Sequence, residues 1–188
     1  MKTLRTICLL LMLMMAPAWA FAAMPDISAG STRLDFGTGC YILEGNVRVA
    51  DRGRIMTADE AKVQLGSQKV WANGNVTLVQ DGITFSCDSL FVKGQEKSAD
   101  VRGNVNFNQE KVISIKADAA HFQWDTKLAD FYGNVLVKAE GQEEQSYSHV
   151  RYNVPEQRIV LTETGDVAIP EIDMSMTPEA AGIIPLLP

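Results

Sequence analysis

Proline is missing from the whole middle of this chain, although the 188 residues include seven prolines. No proline lies between Asp26 and Val154. Because proline cannot donate to a sheet ladder, its absence over so long a stretch is typical of paired β-strands.

Histidine and cysteine are also scarce. The two histidines, His121 and His149, have neither a zinc-binding spacing nor a neighbouring nucleophile motif. We therefore expect no enzyme, no metal site and no cofactor. Of the three cysteines, Cys40 and Cys87 fall in the repeated part of the chain. Their positions predict opposite faces of a sheet, and we expect no disulfide between them.

Basic residues are outnumbered by acidic ones. The formal net charge is −6, and it becomes −8 without Lys2 and Arg5. This balance argues against binding to nucleic acid or to anionic lipid headgroups through general electrostatic attraction.

The only long apolar run stands at the N-terminus. Lys2 and Arg5 precede an apolar stretch at residues 7–15, and small residues surround Trp19. This layout predicts a cleaved signal peptide at residues 1–22 and a mature protein outside the cytoplasm; the alternative is an uncleaved anchor, for which the run is short. We expect a β-repeat domain at 23–173 and a proline-rich irregular tail at 174–188.

A Gly-Asn-Val-like triplet recurs along the chain. Its glycines are separated by 29, 29, 30 and 32 residues, and the last triplet is degenerate. Such a fixed period indicates one supersecondary unit that is repeated. The glycines are Gly45, Gly74, Gly103, Gly133 and Gly165.

Hydrophobicity alternates around each triplet. Positions −4, −2, +2 and +4 from the glycine are apolar in the first four copies, as in Tyr41, Leu43, Val47 and Val49. A period of two predicts a strand with one buried face, and the even spacing predicts that the glycine also faces inward and the asparagine outward.

A second strand lies between successive triplets. It carries Ala58-Asp59, Cys87-Asp88, Ala117-Asp118 and, in degenerate form, Ser148-His149. The apolar parity changes at the Asp, which predicts a bulge or a corner there. We interpret His149 as a structural variant of the Asp. A calcium ladder of the three Asp residues is a weaker alternative, because one Asp per repeat supplies too few ligands.

These units predict an all-β fold, an elongated open β-jelly roll or sandwich of stacked two-strand repeats of about 30 residues. A single-stranded β-helix rung is the competing architecture.

The stretch from Leu34 to Val167 resembles the OstA-like repeat domain of the LptA family of periplasmic lipopolysaccharide-transport proteins. The resemblance rests on Ile27-Ser28, Leu34-Asp35, the triplets, the Ala-Asp strands and the lead-in Lys127-Leu128-Ala129. It implies a twisted open β-jelly roll that shelters lipid A acyl chains and bridges the inner and outer membranes. Implied partners are inner-membrane LptC-like and outer-membrane LptD-like components, with head-to-tail self-association.

The resemblance and the alternation together give candidate residues for lipid binding and for pairing with partner modules. The predicted lipid-binding groove comprises Leu43, Val49, Leu78, Phe85, Phe107, Ile115, Phe131 and Val137. The predicted partner edges contain Ile27 and Leu34 at one end, and Val167 and Ile169 at the other. The alternative function is a structural or adhesive extracytoplasmic repeat protein without a lipid ligand.

Overall fold

The computed structural model describes residues 26–170 apart from 52 and 65. The predicted signal peptide, the tail at 174–188 and the last residues of the expected domain lie outside the described residues. Within the described part, no helix is long and apolar enough to cross a membrane.

Eleven β-strands make up the described fold. They are β1 (Asp26–Ser28), β2 (Ser31–Asp35), β3 (Cys40–Asp51), β4 (Arg54–Gln64), β5 (Lys69–Gln80), β6 (Ile83–Lys93), β7 (Ser98–Gln109), β8 (Ile113–Gln123), β9 (Leu128–Ala139), β10 (Gln145–Asn153) and β11 (Arg158–Glu163). From β3 onward each strand pairs antiparallel with the next, while β1 and β2 pair with different halves of β3. Consecutive antiparallel pairing confirms the jelly-roll prediction and excludes the β-helix rung.

Every long strand bends at its bulge. On β3, Gly45 and Asn46 together oppose Asp59 of β4, and the same irregularity recurs at each later triplet of β5, β7 and β9. The bulges predicted from the parity change are thus confirmed.

The bends fold one continuous sheet into two layers. Layer A contains the N-terminal halves of β3, β5, β7 and β9, up to the Gly-Asn pair. It also contains the C-terminal halves of β4, β6, β8 and β10, after the bulge, together with the whole of β2 and β11. Layer B contains the other halves and β1. Phe107 of layer B contacts Phe131 and Tyr152 of layer A, with ring centroids 5.8 and 5.6 Å apart. The Tyr152 hydroxyl also donates to Gln109 Oε1 at 2.7 Å. The two layers therefore face each other across a shared core.

The triplet glycines do not face inward, which corrects the parity prediction. Glycine and asparagine both have positive φ at every bulge, for example 75° at Gly103 and 47° at Asn104. Two successive left-handed residues rotate the backbone out of the alternating pattern. A Cβ on Gly103 would therefore point at the outward-facing Asp88, 2.3 Å from Oδ2.

Candidate functional site

Inward side chains form two cross-strand rows, one in each layer. The row in layer B runs through partnered residues from β1 to β9: Ile27, Val49, Met56, Leu78, Phe85, Phe107, Ile115 and Val137. The facing row in layer A runs from β3 to β10: Leu43, Ala61, Ala72, Leu90, Val101, Ala120, Phe131 and Val150.

All eight predicted groove residues belong to these rows. Six of them lie in the layer B row, and Leu43 and Phe131 lie in the layer A row. Sequence reasoning omitted Met56, which continues the layer B row between Val49 and Leu78 and is buried. Its signal was available, because the alternation that selects Leu78 also reaches β4.

The interior differs from one end to the other. Near β7 to β10, the aromatic rings of Phe107, Phe131 and Tyr152 fill the space between the layers. Near β4 and β5, the layer A row holds only the small Ala61 and Ala72. Leu78 and Phe85, which are neighbours in layer B, are only partly buried, whereas the other six predicted groove residues are buried. Apart from Ile27 at the edge of the sheet, the accessible side chains of the two rows are therefore on β5 and β6.

A polar ladder follows the bulges on the outside. Asn75, Asn104 and Asn134 donate to the carboxylates of Asp59, Asp88 and Asp118 at 2.9, 2.8 and 2.7 Å. Each Asp thus holds the bulge of the following strand. No group of three candidate ligands suited to a metal is found among the described residues. An open depression of about 310 Å³ beside Asp118 is lined mostly by polar residues and lies outside the core.

The fourth rung is incomplete. Ser148, and not His149, lies opposite the Gly133-Asn134 bulge, so the alignment of His149 with the Asp position was wrong by one residue. The register of β10 on β9 equals that of β8 on β7, since Ser148 follows Gly133 at the same spacing as Asp118 follows Gly103. Ser148 Oγ donates to the Glu163 carbonyl at 2.9 Å, and the last triplet at Gly165 forms no strand.

His149 has a structural environment on the outer face of layer A. Its Nε2 lies 2.8 Å from Asp130 Oδ1, its Nδ1 lies 3.1 Å from Glu163 Oε2, and its ring stacks on Tyr132. Arg151 Nε donates to the same Asp130 oxygen at 2.8 Å. These contacts join β9, β10 and β11, and they engage both ring nitrogens of His149.

A second buried carboxylate lies on the same face. Asp100 contacts His121 Nδ1 at 2.6 Å and Lys93 Nζ at 2.8 Å. Burial raises the pKa of Asp100, but the contacts with His121 and Lys93 outweigh it and the net pKa is lowered. The hydrogen bond to Asp100 raises the pKa of His121 despite its burial. The group is an ion-pair network between β6, β7 and β8.

Both sheet edges carry exposed apolar side chains. At the N-terminal edge, Ile27 lies on β1 and Leu34 on β2, where Leu34 is 37% exposed. At the C-terminal edge β11 exposes Val160 and Leu161. Val167 and Ile169, which were predicted for this edge, lie beyond the last described strand, which ends at Glu163. Ile169 lies against Gly133 of β9, and the Pro170 carbonyl accepts from Arg102 Nη2 of β7 at 2.7 Å.

Cys40 and Cys87 are both free and buried. Cys87 lies in the core, and burial raises the pKa of its thiol to about 12. Cys40 lies outside the core cluster; its thiol donates to the Thr38 carbonyl.

The comparisons with known proteins concern family and fold. The model of OstA-like proteins matches residues 36–112 and 55–154. No curated protein sequence matches the chain. Among solved structures, the fold is similar to LptH of Pseudomonas aeruginosa, the LptA-homologous periplasmic component of its lipopolysaccharide transport device. The TM-score is 0.51 and the identity 12%, over 58% of this chain and 82% of LptH.

Proposed function

Because this chain belongs to the OstA-like protein family, whose model matches most of its described residues, we propose that it is a periplasmic lipopolysaccharide-transport module. In this proposal lipid A acyl chains enter the space between layers A and B. The part that LptH, a protein of similar fold, has in a lipopolysaccharide transport device supports the proposal.

The observation that carries it is the continuous inner row of layer B. Seven apolar residues, from Val49 to Val137, follow one another across β3 to β9 and face a second apolar row. Six strand spacings of about 4.8 Å give the row a length of about 29 Å perpendicular to the strands. The row therefore passes through the whole stack of repeats and reaches towards both edges.

Entry is proposed at Leu78 and Phe85. These side chains are partly buried, while the aromatic cluster at Phe107 fills the interior farther along. Burial of a methylene contributes about 0.8 kcal/mol, so sheltering ten of them contributes about 8 kcal/mol. A mouth that leaves part of each acyl chain exposed keeps binding weak enough for transfer to the next module.

Bridging is proposed to use the two sheet edges. Strand addition at β1 and β2, or at β11, would extend the sheet with another module. The proposed neighbours are an LptC-like component at the inner membrane, an LptD-like component at the outer membrane, and further copies of this chain.

In-cell photo-crosslinking tests the lipid site. A photoreactive residue at Leu78 or Phe85 is expected to give a lipopolysaccharide adduct. The same probe at Thr84, the exposed neighbour on the opposite face of β6, is expected to give none. Absence of an adduct from both inward positions would refute lipid binding and would favour the structural or adhesive alternative.

Sedimentation velocity tests the edges. Oligomers that grow with concentration are expected, and Leu34→Glu on β2 should reduce them because a charge on an edge opposes strand addition. Val79→Glu is the matched control, since Val79 is 41% exposed but lies in the middle of the sheet. An equal effect of both variants would contradict edge pairing.

A further inference from the structure

A buried aromatic pair on the outer face of layer A has no role in the groove. Trp71 of β5 and Phe91 of β6 are partners in the ladder, and their rings stack with centroids 4.9 Å apart. They alternate with Val70, Ala72, Leu90 and Val92 of the core, so they face away from it, and neither belongs to the core cluster. Nevertheless Trp71 is only 4% exposed and Phe91 only 7%.

Burial at this position needs a cover on the outer side. A tryptophan on the solvent face of a sheet keeps much of its large ring accessible unless another element packs on it. The described residues place no strand over this face at β5 and β6. Trp71 Nε1 is buried, and among the described residues it has no hydrogen-bond acceptor. The pair is therefore an acceptor surface for a further segment.

The chain after β11 already runs towards this surface. From Glu163 on β11, residues 164–170 cross the outer face of layer A: the Ile169 side chain lies against Gly133 of β9, and the Pro170 carbonyl meets the guanidinium of Arg102, which reaches out from β7. Four strand spacings of about 4.8 Å are about 19 Å, which seven extended residues can span. In the same direction β6 and β5 follow, and β5 lies four strand spacings, about 19 Å, from β9, which six extended residues can span.

The sequence of the following residues fits that surface. Ile172, Met174 and Met176 alternate with the polar Glu171, Asp173 and Ser175. An extended segment with this pattern presents one apolar side, and methionine packs well against aromatic rings. Glu171 directly follows the proline bound by Arg102, whose guanidinium forms no ion pair with any described residue.

We propose that residues 171–176 extend this strap and cover Trp71 and Phe91, tying the C-terminal edge to the middle of layer A. The occupant is the chain's own segment. A second copy or a lipid on this surface is an outcome that would refute the proposal. The proposal is independent of lipid transport, since it concerns the face opposite to the groove.

Intramolecular photo-crosslinking in the full exported chain tests the contact. A photoreactive residue at position 174 is expected to give an adduct with the tryptic peptide of residues 70–93, which contains both aromatic residues. The same probe at Leu187 serves as the control and should not label this peptide. A mixture of isotope-labelled and unlabelled chains identifies the donor. Adducts between chains, or adducts elsewhere only, would overturn the proposal.

Hydroxyl-radical footprinting gives a second measurement. Ile172→Asp with Met174→Asp is expected to raise the oxidation of Trp71 several-fold, while Trp124 in the core stays protected. Ile183→Asp with Ile184→Asp is the control pair beyond the proposed contact. Unchanged Trp71 oxidation in the first variant would refute the strap.

Discussion

Substitution of Gly103 by alanine tests the bulge ladder most directly. Gly103 has φ = 75°, and a Cβ there would lie 2.3 Å from Asp88 Oδ2 and 2.9 Å from Asp88 Cβ. The variant therefore carries two separate costs. The left-handed backbone costs alanine about 1–2 kcal/mol. Displacement of the Asp88 side chain also breaks its hydrogen bond from Asn104, a loss of about 0.5–1.5 kcal/mol.

Gly141→Ala separates these two costs. Gly141 has a similar φ of 71°, but nothing lies within 4 Å of the Cβ that would be added. The control should lose only the backbone contribution of about 1–2 kcal/mol, whereas Gly103→Ala should lose about 1.5–3.5 kcal/mol. Equilibrium urea unfolding measures both values.

A double-mutant cycle then tests the cause. In a background of Asp88→Gly, the additional cost of Gly103→Ala should fall to that of Gly141→Ala, because the carboxylate and its Cβ are gone. Equal costs for Gly103→Ala and Gly141→Ala in the parent chain would refute the idea that the Asp-Asn rung dictates glycine.

Three further predictions concern titratable groups and the core. Burial raises the pKa of Tyr152 to about 12 from the unfolded value of 10, so its protonated form stabilises the fold below pH 10 and this contribution is lost as the pH rises towards 12. The unfolding midpoint of Tyr152→Phe, measured as a function of pH, should not show this loss. Identical pH profiles of the parent chain and the variant above pH 10 would contradict the prediction. The pKa of His121 is raised above 6.5, so its contribution to stability is present below that pH and is lost as the pH rises through the folded pKa. Proton NMR should show a lower pKa of His121 in Asp100→Asn than in the parent chain. An unchanged pKa of His121 would exclude the ion pair with Asp100. Cys40 and Cys87 are free and buried, so a thiol reagent should label neither of them in the native exported chain and both of them after denaturation without reductant. A denatured, unreduced protein without free thiols would instead show a disulfide.

The sequence predicted the repeated geometry well, because that geometry is local. Alternation around each triplet and the parity change at each Asp are set by a few neighbouring residues, and the inner positions such as Val76 and Val105 lie in the core. The inward glycine was wrong because parity counting assumes regular strands. The two left-handed residues of each bulge break that assumption.

Features that depend on distant parts of the chain were not predictable in the same way. The contact between Arg102 and the Pro170 carbonyl joins residues 68 positions apart and redirects the chain after β11. The misplacement of His149, in contrast, was avoidable, because Ser148 follows Gly133 at the same spacing as Asp118 follows Gly103. Trp71 did leave a signal, since an aromatic residue at a polar position of the repeat is an exception to the alternation.

The incomplete fourth rung has a consequence for the joint between modules. In the described residues, layers A and B end together at the N-terminal edge, where β2 and β1 both flank β3. At the other edge, layer A continues to β11, whereas layer B ends one strand earlier, at Gln145 to Tyr147 of β10. A joint in which β11 of one copy pairs with β2 of the next would therefore leave a gap of one strand, about 4.8 Å, in layer B.

That gap bears on the choice of partner. A module with one additional strand in layer B at its N-terminal edge would close both layers and bury more backbone donors and acceptors than a second copy can. If edge pairing occurs, self-association of this chain should thus be weaker than its binding to such a module. The two layers end at different strands because Ser148 stands where the preceding repeats have Asp118, Asp88 and Asp59. No carboxylate therefore supports a further bulge, and the last triplet does not return into layer B.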